Sequence, residues 1–149
     1  MRERLFHPWL VVRVRFLLGL VFLVAAWPKL LDPPGFAKAV AHYDLLPAVL
    51  VPAVALTLPW LEALAGLALV LGVWIRPAAL WAGLMLLAFT GALGFNLARG
   101  HAVDCGCFEV AETVRTDAER LADMRSLLLR DAGLLLLVLH AWSAARKPE

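Results

Sequence analysis

The sequence predicts an all-α integral membrane fold. It is a four-helix bundle with a short interfacial helix after the first span and a cysteine-containing loop between the third and fourth. Three observations carry this. Of 149 residues, 62% are hydrophobic and 17% charged, where a soluble domain has roughly a quarter charged. The apolar residues gather into four runs, each near the roughly 20 residues that a bilayer core requires. Most of the charged residues and most of the prolines fall at the ends of these runs or between them.

The first run, about 10–31, contains "VRFLLGLVFLVAAWPKLL". A signal peptide competes for this stretch, but the apolar segment outlasts the usual core of about 7–15 residues, which favours a retained helix. Lys29 closes the run and is expected to snorkel to the interface. The next stretch, "DPPGFAKAVAHYDLLP" over 32–47, opens and closes on proline. Its Phe36, Val40 and Tyr43 recur at helical spacing, which predicts a short helix in the interface.

The second run covers 48–75. Pro52 and Pro59 kink it or mark a late start, and Arg76–Pro77 is expected to break it. The third run covers 78–98. The fourth covers 126–143, in a helix expected to begin near Asp117, because "TDAE" at 116–119 has the form of a capping box. Gly66, Gly72, Gly83, Gly91 and Gly94 are expected to permit close helix contact. The whole chain, 1–149, reads as one transmembrane domain. Both termini and the turn after the second run share one face of the bundle (the terminal face). The 32–47 and 99–125 connections share the other (the loop face).

Charge excludes one class of partner. The formal net charge is +2, and basic residues are interspersed with acidic ones, so there is no stripe for nucleic acid. Counting Lys and Arg does not orient the bundle, since seven fall on each face.

The most informative stretch is "HAVDCGCFEV", 101–110, which holds Cys105 and Cys107, the only two cysteines. Gly106 lets the chain fold back between them, so that a small, strained disulfide is possible. Strained, exposed disulfides are labile and oxidising, as catalytic or regulatory pairs are. A one-residue loop stabilises little as a staple. Metal binding with His101 and His42 is a weaker alternative, because zinc ligand pairs are usually spaced by two to four residues and four ligands are needed. A working disulfide belongs in an oxidising compartment, so the loop face is expected outside and the termini in the cytoplasm.

Ionisable residues at membrane depth are the second signal. Glu62 lies well inside the second run, and Arg130 and Asp131 lie inside the fourth. Such groups cost several kcal/mol unless paired, protonated or wet. With Lys29, Tyr43, Asn96, Arg99, His101 and Asp104, they fall on the half of the bundle that carries the cysteines. Glu62 beside Arg130 is the expected core of a proton or quinone pocket, and Arg99 or His101 is expected to lower a thiol pKa.

These residues resemble the methylamine-utilisation MauE branch of the DoxX-like membrane proteins. The resemblance rests on "VFLVAAWPKLLDPPGFAKAVAHYDLLP", "LPWLEALAGLALVLG", "NLARGHAVDCGCF" and "LLLRDAGLLLL", and it spans about 13–140. Its most specific piece is "DCGCF", after which the family pattern continues with glycine where this chain has Glu109. The resemblance implies a four-helix protein of the bacterial inner membrane, linked to disulfide formation alongside a thioredoxin-like or other periplasmic thiol partner. Its outline is similar to quinone-coupled disulfide generators, which implies quinone as a cofactor. The function expected is thiol–disulfide exchange at Cys105 and Cys107. Two alternatives stay open: a non-enzymatic assembly factor, and a small carrier for a sulfur species or soft metal ion.

Overall fold

The computed structural model describes residues 7–104 and 115–145. Every element in them is an α-helix: α1 (Pro8–Leu31), α2 (Pro33–His42), α3 (Val51–Leu71), α4 (Ile75–Ala98) and α5 (Asp117–Ala144). All but α2 are long and apolar enough to cross a membrane, as a multi-pass membrane protein requires.

Local chemistry sets the helix ends. Pro8 occupies the first turn of α1, where a missing N–H costs nothing. Asp32 separates α1 from α2 and caps the latter, its Oδ1 accepting from the Gly35 N–H at 3.0 Å. Pro33 and Pro34 then start α2. Thr116 and Glu119 form the expected capping box of α5, with Thr116 N–H donating to Glu119 Oε2 at 2.9 Å and Glu119 N–H to Thr116 Oγ1 at 3.3 Å.

The break after the second run falls earlier than Arg76–Pro77. Gly72 ends α3 in the left-handed region at φ 77° and sends its N–H to the Ala68 carbonyl at 2.9 Å. Trp74, at φ 48°, caps α4. Arg76 and Pro77 therefore sit in the first turn of α4, where proline is tolerated. The run also starts later than expected, at Val51, with Pro52 in its first turn. Pro59 remains inside α3.

The helices α1 and α3 are antiparallel and touch backbone to backbone. A Cβ at Gly19 would lie 2.6 Å from the Gly66 carbonyl oxygen, and one at Gly66 would lie 2.8 Å from the Gly19 oxygen. On the other side α4 packs along α5, where Gly83 meets Val138. Gly91 and Gly94 have open space beside them, so they are not the close-contact positions the sequence suggests.

Two apolar clusters result. Leu18, Phe22, Leu69, Ala79, Ala82 and Val138 fill the half toward the terminal face. Tyr43, Leu93, Val103 and Met124 fill the loop end. Long apolar side chains such as Trp27, Leu129 and Leu136 point outward, where lipid tails solvate them.

Candidate functional site

Two groups of the expected residues come together, one deep in the bundle and one at the loop end. The deep group follows from the Gly19–Gly66 crossing. Lys29 lies ten residues beyond Gly19, about 15 Å along the axis, and Glu62 four residues before Gly66, about 6 Å. In an antiparallel pair both side chains lean toward their own helix N-terminus and so toward each other. They meet: Lys29 Nζ donates to Oε1 and Oε2 of Glu62, each at 2.8 Å. Lys29 is 1% exposed and Glu62 7%. The ammonium also lies 5.2 Å from the Phe36 ring centroid and 5.9 Å from that of Phe89, within cation–π range.

This corrects two expectations. Lys29 does not snorkel, because Glu62 and two aromatic rings hold it inside. Glu62 pairs with Lys29 rather than Arg130. Arg130 donates instead to its neighbour Asp131, from Nε at 3.1 Å and Nη2 at 2.8 Å to Oδ1. Thr90 Oγ1 donates to Asp131 Oδ2 at 3.4 Å, a partner the sequence did not suggest. The two ion pairs do share one space: Lys29, Glu62, Arg130 and Asp131 all line a cavity of about 50 Å³. That is room for water, in a charge-balanced layer between the two apolar clusters.

The loop-end group is a clamp on α2. Asn96, fully buried, donates from Nδ2 to the Tyr43 carbonyl at 3.1 Å and to the Ala92 carbonyl at 3.0 Å. Arg99 Nη2 donates to the Tyr43 carbonyl at 3.3 Å and to Asn96 Oδ1 at 2.5 Å. The His101 ring nitrogen Nε2 is 3.0 Å from the His42 carbonyl, and the His101 N–H donates to the Asn96 carbonyl at 2.9 Å. Carbonyls 42 and 43 are the orphan acceptors at the end of a helix, and Asn96 in the last turn of α4, with Arg99 and His101 just past it, reaches them. Burial pushes the Tyr43 hydroxyl well above its ordinary value.

The clamp continues to the edge of the cysteine loop. Val103 is buried against Tyr43, Leu93 and Met124, and Asp104 Oδ2 lies 3.6 Å from Arg120 Nη2 on α5. Cys105 and Cys107 themselves lie outside the described residues. Arg99 and His101, expected beside the thiols, direct these hydrogen bonds at α2. Among the described residues no group of three His, Cys, Asp or Glu side chains converges as a metal site would.

A family model described as methylamine utilisation protein MauE matches residues 7–144. The chain belongs to the MauE family. The matched span takes in both ionisable groups and the whole cysteine loop. Among MauE relatives, the methylamine utilization protein MauE of Paracoccus denitrificans is 34% identical over 137 residues, covering 91% of this chain and 73% of that protein. Its counterpart in Methylorubrum extorquens is 41% identical over 103 residues, 68% of this chain and 55% of that protein. The Methylophilus methylotrophus MauE is 37% identical over 101 residues, 67% of this chain and 53% of that protein. The aligned stretch thus spans about half the length of the latter two. No solved structure matches the chain.

Proposed function

We propose that this MauE chain is a membrane thiol–disulfide oxidoreductase that acts on a thioredoxin-like or other periplasmic thiol protein and serves methylamine utilisation, as its relatives are named for. The observation that carries this reading is the anchored root of the cysteine loop. Residues 101–104, immediately before Cys105, are tied to α2 through His101, to the loop-end core through Val103 and to α5 through Asp104. The loop that carries Cys105 and Cys107 is thus rooted at a fixed point of the bundle, which supports a placed, working pair over an inert one.

The chemistry is thiol–disulfide exchange. A partner thiolate attacks one sulfur of the Cys105–Cys107 disulfide, and the other leaves as a thiolate. The partner's second thiol then breaks the mixed disulfide. The partner leaves oxidised, and the pair is left as a dithiol, richer by two electrons and two protons. A disulfide with this role persists in an oxidising compartment, so the loop face looks to the periplasm and the termini to the cytoplasm of the inner membrane.

The test is oxidation of a reduced thioredoxin-like partner by the purified protein. The parent oxidises it, and the Cys105→Ser/Cys107→Ser double variant does not. Equal oxidation by both would remove the proposal.

A further inference from the structure

A second cavity, of about 480 Å³, opens between α2, α3 and α4, within the roughly 300–1,000 Å³ typical of small-ligand sites. Its wall is apolar and partly aromatic, with Phe36, Tyr43, Trp81 and Phe89 among the lining residues. One charged side chain reaches it: Glu62. The same carboxylate lines the small cavity of Lys29, Arg130 and Asp131. Glu62 is therefore the junction between a lipid-like chamber and the charged layer. Lys29 occupies one site on each of its oxygens, and a carboxylate has about four acceptor sites. The chamber thus offers apolar, partly aromatic walls and one strong acceptor. That combination suits a planar, lipid-soluble ring carrying a hydroxyl.

We propose that this chamber holds the ring of a quinone and prefers its reduced form. The proposal rests on the exchange reading above, which leaves a dithiol that must be reoxidised. Bound there, a quinone supplies a two-electron, two-proton acceptor: Cys105 and Cys107 lose two electrons and two protons as their S–S bond forms, and two ring carbonyls become hydroxyls. Glu62 accepts a hydrogen bond from a ring hydroxyl but has no proton to offer a ring carbonyl while paired with Lys29, so it favours the reduced form. Tyr43 connects the two regions. Its side chain lines the chamber, its carbonyl is held by Asn96 and Arg99, and it packs in one cluster with Val103 at the root of the cysteine loop. The site is displaced from the expected place between Glu62 and Arg130, where about 50 Å³ has room for water but not for a ring.

The test uses the full chain in lipid nanodiscs with a photoreactive short-tailed ubiquinone. Labelling is expected on the segments 36–46 and 81–92, competed by unlabelled ubiquinone and not by oleate. Ala88, on the chamber wall, is changed to Trp to fill it; labelling then falls at least tenfold while the unfolding temperature is kept. Ala39→Phe fills it from α2 and gives the same loss, so a folding failure of one variant does not end the test. Replacing Glu62 and Lys29 together, by Gln and Met, lowers the preference for reduced over oxidised ubiquinone about tenfold, the worth of one charge-assisted hydrogen bond. The Cys105→Ser/Cys107→Ser variant keeps full labelling, which separates this site from the exchange chemistry. Labelling spread over lipid-facing surfaces such as Leu129 and Leu136, equal competition by oleate, or indifference to both filling variants would overturn the proposal.

Discussion

Lys29 and Glu62, 33 residues apart, form a two-pronged ion pair inside the bundle, with Nζ at 2.8 Å from each carboxylate oxygen. It joins the end of α1 to the middle of α3 and fixes the charged layer on which both cavities depend. Removing one partner strands the other charge in a low-dielectric interior, which costs about 3–5 kcal/mol, whereas replacing both by apolar residues of similar length is often neutral. Lys29→Met and Glu62→Met are each expected to unfold far more readily than the parent in detergent titrations. The double variant returns close to parental stability. Additive losses in the double variant would show that the pair does not act as a unit.

The Gly19–Gly66 crossing sets the distance at which that pair can form. Gly66→Val places a side chain against the Gly19 carbonyl, so α1 and α3 must separate, with an expected loss of about 1–3 kcal/mol from overpacking or more if the ion pair is also lost. Gly91→Ala and Gly94→Ala enter open space inside a helix and are expected to be neutral or to stabilise by up to about 1 kcal/mol. Thermal unfolding of the three variants side by side checks this ranking.

Much of this architecture was legible in the sequence, for physical reasons. Length and hydropathy are enough to identify spans, and the Thr116–Glu119 box and the Phe36–Val40–Tyr43 spacing are local signals that survive into the structure. Partner choice was not legible. Glu62 faces Lys29 rather than Arg130 because of where two glycines cross, a relation between residues 47 apart in the chain. Asp131 lies beside Arg130 in sequence and claims it. The snorkelling expectation for Lys29 failed because it considered the helix end alone and not the Phe36 and Phe89 rings around the ammonium. The α3–α4 break was misplaced because proline reads as a stop when it is often the first turn of the next helix. The chamber beside Glu62 is a gap between three helices, and no sequence pattern announces a gap.

Tyr43 gives a direct reading of the loop-end core. Burial raises its pKa in the folded chain, while in the unfolded chain it stays near the ordinary value of about 10. Below that value both states are protonated and stability does not depend on this group. Above it the unfolded state loses its proton first, so stability falls as pH rises from about 10 toward the folded value. Tyr43 is the chain's only tyrosine, so tyrosinate absorbance follows this one site. The titration is expected to lag behind free tyrosine until the chain unfolds, and Tyr43→Phe is expected to flatten the alkaline limb of the stability curve.

Asn96 is the pivot of the clamp on α2. Asn96→Leu keeps the branching of the side chain but removes the donors to the Tyr43 and Ala92 carbonyls and the acceptor of Arg99. The Tyr43 carbonyl keeps only its bond from Arg99, and each hydrogen bond lost costs about 1 kcal/mol. Hydrogen exchange over 33–46 is expected to accelerate in this variant while exchange in the terminal half of α1 is unchanged. Uniform acceleration would mean that Asn96 supports the whole bundle rather than the α2 anchor.

The claim that Cys105 and Cys107 trade electrons with a partner outside the cytoplasm is tested most directly by trapping in intact cells. A Cys105→Ser or Cys107→Ser variant leaves one thiol, and a membrane-impermeant maleimide reports which side it faces. The account predicts that one of the two single variants accumulates a mixed disulfide with a periplasmic thiol protein, released by reductant, and that the remaining thiol is then labelled from outside. A pair that stays reduced in the parent, is labelled only after the inner membrane is permeabilised, and traps no partner in either variant would contradict it.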